Sequence, residues 1–333
     1  MLPYSRILLL IALVLSGVLG FAQDRIDAYF VDVLTRIGIN IVLAVSLNLI
    51  NGHAGQFSLG HAGFMAVGAY VAAALTMFAG PLLFGSSAAG LGPTLWFLFA
   101  LFAGGAIAAL AGLVVGAPSL RLKGDYLAIV TLGFGQIIAV IFRNIESLGG
   151  ALGLNGVPAQ TNLFWVFAAA AVTIYTVTSI VNSTYGRGFL ATHDDEVAAE
   201  AMGIDTTRCK IVAFVVGAFF AGIAGGLYGH FNLTINPKGF DFTRSVEIVV
   251  MVIVGGMGNT AGVILAAALL TLLPEGLRVL AGYSLPFPGT PEGWSLRWVG
   301  EARPLLYSML LIGLMLLRPQ GILTWRRRPA SAV

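Results

Sequence analysis

The sequence predicts an all-α polytopic membrane protein with about eight to ten transmembrane helices, including glycine-broken or re-entrant segments. Three observations predict this fold class. First, 58% of the 333 residues are hydrophobic and only 10% are charged, whereas the surface of a soluble domain needs far more charge. Second, the chain contains many apolar runs of about the 20 residues that a spanning helix requires. Third, the 43 glycines suit close helix packing in a membrane, and no alternating pattern of barrel strands repeats.

Composition also argues against several kinds of site. The single cysteine, Cys209, excludes an intramolecular disulfide and a cysteine-based metal cluster. His53 and His61 have no third ligand nearby, so we predict no metal site there. No basic stripe with aromatic residues is present, so we predict no nucleic-acid partner. The apolar runs contain no paired carboxylates and no nucleophile with a base, which argues against an enzyme.

The N-terminal segment, residues 5–22, has a positive start, an apolar middle and small residues at its end. A cleaved signal peptide would share this pattern. We expect a retained first span instead, because the rest of the chain is itself rich in membrane segments. Residues 24–36 are predicted to form a short charged connector before the apolar run at 37–50.

The next stretch, residues 51–75, predicts a broken or re-entrant helix, because it is glycine-rich and contains Gly-His-Ala-Gly twice. Such backbone occurs at membrane depth only where protein or a water-filled cavity surrounds it. Its polar side chains are therefore candidates for lining a translocation path: Asn48, Asn51, Gln56, Ser58 and His61. The alternative is close packing by glycine, with the polar groups satisfied locally.

A second interrupted segment lies towards the C-terminus. Residues 246–254 are too short to span, and GGMGN at 255–259 separates them from the apolar run at 260–273. Paired interruptions in two halves of a transporter indicate a path near the bilayer midplane. Glu247 would be a functional candidate at membrane depth, although we expect it at the membrane interface. The remaining spans are predicted at 95–117, 126–142, 163–181, 211–230 and 305–317.

The longest polar interval is Tyr185–Lys210, and its centre predicts a short helix outside the membrane. We expect Thr192 to cap this helix, with Asp195 in the capping-box position. Gly203 can adopt the left-handed conformation that ends a helix, and Asp205 or Thr206 can cap the next one. One face of the helix is apolar and consists of Val197, Ala198, Ala201 and Met202.

This short helix has two possible roles. An amphipathic helix with small residues suits docking into a groove of a partner, while the alternative is a solvated connector between two spans. Glu196 and Glu200 are expected to repel each other mildly, by roughly 0.2–0.5 kcal/mol, unless a basic partner or salt intervenes. The run Arg326–Arg328 beside the last span places the C-terminus in the cytoplasm. Counting the predicted crossings places the polar interval and the turn at 119–125 on the same side of the membrane as the C-terminus.

Four blocks of sequence carry a resemblance to a known family: SLNLINGHAGQFSLGHAGFMAVGAYV (46–71), LRLKGDYLAIVTLGFGQI (120–137), HDDEVAAEAMGIDTTRCKIVAFVVGAFFAGIAGGLYG (193–229) and VMVIVGGMGNTAGVILAAAL (250–269). Together they extend in order over most of the chain. The chain resembles the inner-membrane permeases of bacterial branched-chain amino acid importers of the ABC type. These importers contain a pair of homologous permeases, and the resemblance is to the M-type subunit of the pair.

The resemblance implies a single transmembrane permease domain, residues 1–333, with a cytoplasmic coupling loop at 183–210. ABC permeases share an EAA…G pattern whose helix docks on the ATPase subunit. The matching positions here are Glu196, Ala198, Ala199 and Gly203, and the match is loose because Val197 separates the glutamate from the alanines.

The implied partners are a homologous H-type permease, two cytoplasmic ATPase subunits, a periplasmic substrate-binding protein and the lipid bilayer. No Walker A sequence is present, so the chain itself needs no cofactor and ATP is expected on the ATPase subunits. Urea, amides and aromatic acids remain alternative substrates. An ion-coupled secondary transporter is a rival reading that would need a buried ion site.

Overall fold

The computed structural model describes residues 3–85, 90–119 and 125–281, together with short pieces at 284–285, 294–295, 308–309, 312–313, 316 and 321–322. The helices in the continuous part are α1 (Pro3–Ala22), α2 (Ala28–Asn48), α3 (His61–Ala74), α4 (Gly80–Phe84), α5 (Leu91–Ser119), α6 (Asp125–Asn144), α7 (Leu163–Val181), α8 (Thr184–Asp194), α9 (Glu196–Ala201), α10 (Thr206–Asn232), α11 (Phe242–Gly255) and α12 (Thr260–Ala281). Two short antiparallel pairs join β1 (Leu154–Asn155) to β2 (Thr234–Ile235) and β3 (Ser284–Leu285) to β4 (Trp294–Ser295).

Eight helices in the described part of the chain are long and apolar enough to cross a membrane. They confirm the predicted all-α polytopic fold, and the count excludes the last predicted span, of which only isolated positions are described. The loop at 120–124 and the basic run Arg326–Arg328 lie outside the described residues. The predicted connector at 24–36 is wrong in extent, because α2 begins at Ala28 and its spanning segment continues to His53. Asp32 and Arg36 therefore belong to a spanning helix.

The centre of the molecule is a close contact of α3, α5 and α10, made possible by glycine. A Cβ atom on Gly68 would collide with the backbone of Gly222, and one on Gly104 would lie 2.8 Å from the carbonyl oxygen of Gly68. The Gly68–Gly222 contact and a hydrogen bond between Thr76 and His230 show that α3 and α10 run parallel. Helix α2 passes through this core and is buried along most of its length.

The helices define two ends of the bundle. One end contains α8 and α9 and is called here the α8–α9 end. The other contains the β1–β2 pair and is called the β1–β2 end. Helix α11 begins part-way between them, because the Phe240 ring just before it lies 6.4 Å from that of Tyr70 in α3. Its 14 residues give a length of about 21 Å, short of the roughly 30 Å of a bilayer core.

Both predicted breaks are present. A π-turn at Leu49–His53 ends the first long helix, residues 54–60 are not helical, and α3 starts at His61. The second break separates α11 from α12, and there Gly256 and Gly258 take positive φ angles of 95° and 81°. The first break joins two helices of spanning length, whereas the second follows a helix that enters the bundle part-way.

Candidate functional site

The polar interval folds into two helices, α8 and α9, rather than one. Thr192 lies inside α8, where its hydroxyl donates to the carbonyl of Gly188 at 2.8 Å, so the predicted N-cap at Thr192 is wrong. Asp195 is the N-cap of α9, and its carboxylate accepts hydrogen bonds from the amides of Val197 and Ala198 at 2.9 and 3.0 Å. Asp195 fits this role because its side chain satisfies two amides that the first helical turn leaves free.

The C-terminal end of α9 is a left-handed glycine cap. Gly203 has a φ of 82°, as its position in the sequence predicted. The Gly203 amide donates to the carbonyl of Glu200 at 2.9 Å, and the Ile204 amide donates to that of Ala199 at 3.0 Å. This pair of bonds is a Schellman motif. A side chain at 203 would meet no neighbour within 4 Å, so the backbone angle, rather than space, requires glycine.

The apolar face of α9 points away from the bundle. Val197 is 68% exposed and Met202 is 83% exposed, and Ala198 and Ala201 are exposed between them. Ala199, on the opposite side, is buried against the protein. The predicted face therefore exists and is uncovered in the single chain, which is the arrangement of a helix that docks on a partner.

The two acidic residues of α9 hold it to α10. The Lys210 ammonium donates to the Glu196 carboxylate at 2.6 Å, and the Thr206 hydroxyl donates to the Glu200 carboxylate at 2.7 Å. The Lys210 side chain is only 2% exposed, whereas that of Glu196 is 23% exposed. Each acid thus has a partner within the chain. Their positions are set by these two bonds rather than by the mild repulsion expected between Glu196 and Glu200.

The two glycine breaks lie against each other at the α8–α9 end. The side-chain oxygen of Asn48 accepts from the Gly258 amide at 2.9 Å, and a Cβ on Gly52 would collide with both residues. The first break also contacts the polar interval, since a Cβ on Gly55 would lie 2.9 Å from the His193 ring at the end of α8. The polar interval and the two breaks therefore form one continuous contact.

The polar side chains of the first break are buried and hydrogen-bonded. Asn51 and Ser58 bond to each other across the non-helical segment, with the Ser58 amide donating to the Asn51 side-chain oxygen at 3.1 Å. His61 bonds to the Ser46 hydroxyl at 2.9 Å, and the side-chain amide of Gln56 donates to the Ala54 carbonyl at 3.3 Å. These bonds fit the alternative of local satisfaction except at His61, whose buried Nδ1 has no hydrogen-bond partner among the described residues. A role in lining the path stays a prediction for all five candidates.

Glu247 has a basic partner, Arg244, that the sequence did not indicate. The Arg244 guanidinium donates to the Glu247 carboxylate at 2.8 Å and to the Asn40 side-chain oxygen at 2.7 Å. Asn40 in turn donates to the Thr271 hydroxyl at 2.8 Å. Asn40 is midway along a spanning segment of 26 residues and Thr271 is midway along α12. The Arg244–Glu247 pair therefore lies near the middle of the bundle, and the membrane-interface position expected for Glu247 stays a prediction.

No group of three His, Cys, Asp or Glu side chains within the described residues could hold a metal ion. The features described here are an exposed helix, two interlocked breaks and a charged cluster at mid-bundle.

The family is decided by a comparison with family models. Residues 29–318 match the model of the branched-chain amino acid transport system / permease component. The chain belongs to this family. It is therefore a multi-pass membrane protein and a component of a transport permease, and not an enzyme.

Similar curated proteins include both kinds of permease in this family. The chain is 31% identical over 332 residues to the high-affinity branched-chain amino acid transport system permease protein LivM of Salmonella typhimurium, and equally to that of Escherichia coli. Each alignment covers 89% of this chain and 70% of the relative. It is also 28% identical over 162 residues to the LivH permease of Salmonella typhimurium, covering 48% of this chain and 46% of that protein. No solved structure matches significantly.

Proposed function

We propose that this chain is the M-type membrane permease of an ATP-driven importer of branched-chain amino acids in a bacterial inner membrane. The LivM relatives, named for high-affinity branched-chain amino acid transport, support the cargo. The observation that carries the ATP-driven part is α9, a short helix with an uncovered apolar face and a fixed attachment to the spanning helices.

In this proposal α9 docks on an ATPase subunit. Val197, Ala198 and Met202 supply the apolar contact, and the small alanine side chain permits close approach. Closure of the two ATPase subunits on ATP then pushes α9. The Glu196–Lys210 ion pair passes this displacement to α10, and the contact between His193 and Gly55 passes it to the first break.

The full assembly contains an H-type permease, two cytoplasmic ATPase subunits, a periplasmic binding protein and the lipid bilayer, with ATP bound by the ATPase subunits alone. The α8–α9 end and the C-terminus face the cytoplasm. The path runs past the first break, where Asn48, Asn51, Gln56, Ser58 and His61 are its candidate residues, and past Glu247.

The proposal is tested by purifying the chain from its native membrane in a mild detergent. Two ATPase subunits and a second permease should co-purify, and the reconstituted assembly should take up leucine when ATP and the binding protein are supplied. A chain that purifies alone from several detergents would remove the support for docking by α9. Uptake of urea, an amide or an aromatic acid in place of leucine would keep the machine but replace the cargo.

A further inference from the structure

Charged side chains are unevenly distributed among the helices. Helices α3, α5 and α7 contain no Asp, Glu, Lys or Arg, and those of α1, α6 and α10 lie near helix ends. Besides the charged residues of the short helices α8 and α9, the remaining three acidic and three basic residues lie on α2, α11 and α12. They define what we call the polar face: Asp32, Arg36, Arg244, Glu247, Glu275 and Arg278.

The polar face is also linked across helices. Glu275 of α12 accepts from the Tyr29 hydroxyl of α2 at 2.6 Å, and Arg244 of α11 donates to Asn40 of α2. Elsewhere the exterior is apolar: Val14 and Phe21 of α1 are 68% and 82% exposed, and Val114 of α5 is 67% exposed. Lipid suits the latter surfaces, whereas charges at membrane depth face another protein or water. The polar face is therefore turned to a partner or to an aqueous path.

One pair on this face keeps capacity for a ligand. Arg244 and Glu247 have side chains that are 20% and 43% exposed, and they lie at the level of the middle of two spanning helices. Among the described residues, Oε1 of Glu247 accepts no hydrogen bond and Nε of Arg244 donates none. The pair thus offers an open acceptor and an open donor side by side at half depth.

We propose that Arg244 and Glu247 bind the zwitterionic head group of an aliphatic amino acid during its passage, an inference that rests on the proposed function. The guanidinium donates to the α-carboxylate of the cargo, and the carboxylate of Glu247 accepts from its α-ammonium group. The side-chain oxygen of Asn40 accepts from Nη2 of the guanidinium at 2.7 Å, so Arg244 stays oriented when Glu247 turns to the cargo. Val250, one turn further along α11 and half-buried, offers an apolar surface for the aliphatic side chain.

This site fits a zwitterion better than the alternative cargoes. Urea and amides carry no charge and would offer neither Arg244 nor Glu247 a counter-charge in exchange for the bond between them, and an aromatic acid would pair with Arg244 but repel Glu247. A balanced pair of opposite charges matches a head group that carries the same two charges.

The test uses the complete assembly in proteoliposomes, with labelled leucine as the probe and ATP hydrolysis measured in the same vesicles. We expect R244Q and E247Q each to lower the leucine taken up per ATP hydrolysed about ten-fold or more, the change expected when one charge-assisted bond to the cargo is lost. The matched control is R36Q, which breaks the exposed Arg36–Asp32 pair on the same face and should stay within about two-fold of wild type.

The double variant R244E/E247R separates binding from structure, because it keeps an ion pair but exchanges the two charges. We expect it to remain as inactive as the single variants, whereas restored transport would show that the pair only stabilises the fold and would overturn the proposal. Loss of the second permease from purified R244Q would assign the pair to a subunit contact, which also overturns it. A wild-type assembly that hydrolyses ATP but transports no leucine would reject the proposed function itself, whatever the variants do.

Discussion

The ion pair between Glu196 and Lys210 gives the most quantitative prediction for coupling. The two partners are unequally buried, with Lys210 2% exposed and Glu196 23% exposed. Removing one member of a buried pair costs about 3–5 kcal/mol when the remaining charge stays buried. E196Q leaves the buried ammonium without its counter-charge, so we expect a cost near the lower figure, about 3 kcal/mol. K210M leaves a carboxylate that water can reach, and we expect about 1–2 kcal/mol.

The consequence is a change in how often α9 detaches from α10. A cost of about 3 kcal/mol raises the population of the detached state about 100-fold. Hydrogen exchange of the Ile204 amide, which bonds to Ala199 at the end of α9, reports this opening. In the reconstituted assembly the same variant should lower uptake per ATP hydrolysed while hydrolysis continues.

The order of the variants is the sharpest part of this prediction. E196Q should accelerate exchange more than K210M, and the double variant E196Q/K210M should recover part of the loss because no charge is left buried. Equal exchange in K210M and wild type, with full transport, would show that the pair carries neither stability nor displacement, and the reasoning would be wrong.

Four further substitutions test the neighbouring features. G203V should reduce ATP-driven uptake without loss of membrane insertion, because a β-branched residue disfavours the left-handed backbone; the control is G133V, where a side chain meets nothing within 4 Å. G52A should lower the thermal stability of the purified chain by several degrees compared with G133A, since its methyl group collides with the second break, and an unchanged melting temperature would mean that the breaks are not interlocked. V197E and M202E should each weaken co-purification of the ATPase subunits while the circular dichroism of the chain is unchanged; ATPase recovery equal to wild type would remove this face from the interface.

Local signals in the sequence predicted part of this site well. Gly203 follows an apolar helical pattern, and its left-handed conformation depends only on the neighbouring backbone. The sequence therefore predicts this helix end correctly. The two breaks were visible for the same reason, as glycine interrupts an apolar run in each case. The N-cap was assigned three residues too early because Thr192 and Asp195 are both good caps, and the choice between them depends on α8, which packs Thr192 into the bundle.

Contacts over long distances in the chain were not predictable in this way. Lys210 is the last charged residue of α10 before its apolar run, a signal that could have indicated a buried partner, but nothing local selects Glu196, 14 positions earlier. Glu247 was expected at the interface because it lies near the start of an apolar run. Its place at mid-bundle follows from the turn Pro237–Phe240, whose Pro237 and Phe240 side chains are buried just before α11 begins. The extent of α2 was missed because Asp32 and Arg36 look like a connector until their place beside α11 and α12 is known.

The contact between the two breaks limits which insertions and deletions the sequence can tolerate. Asn48 and Gly258 share one hydrogen bond although they lie 210 positions apart. A third segment of the chain contacts the second break, because the Ile322 amide donates to the Val254 carbonyl at 2.8 Å. An insertion of one residue in either break would shift the chain that follows it and disturb this contact. Length changes should therefore accumulate in the loops of the β1–β2 end, such as 145–162, while the two breaks change only together.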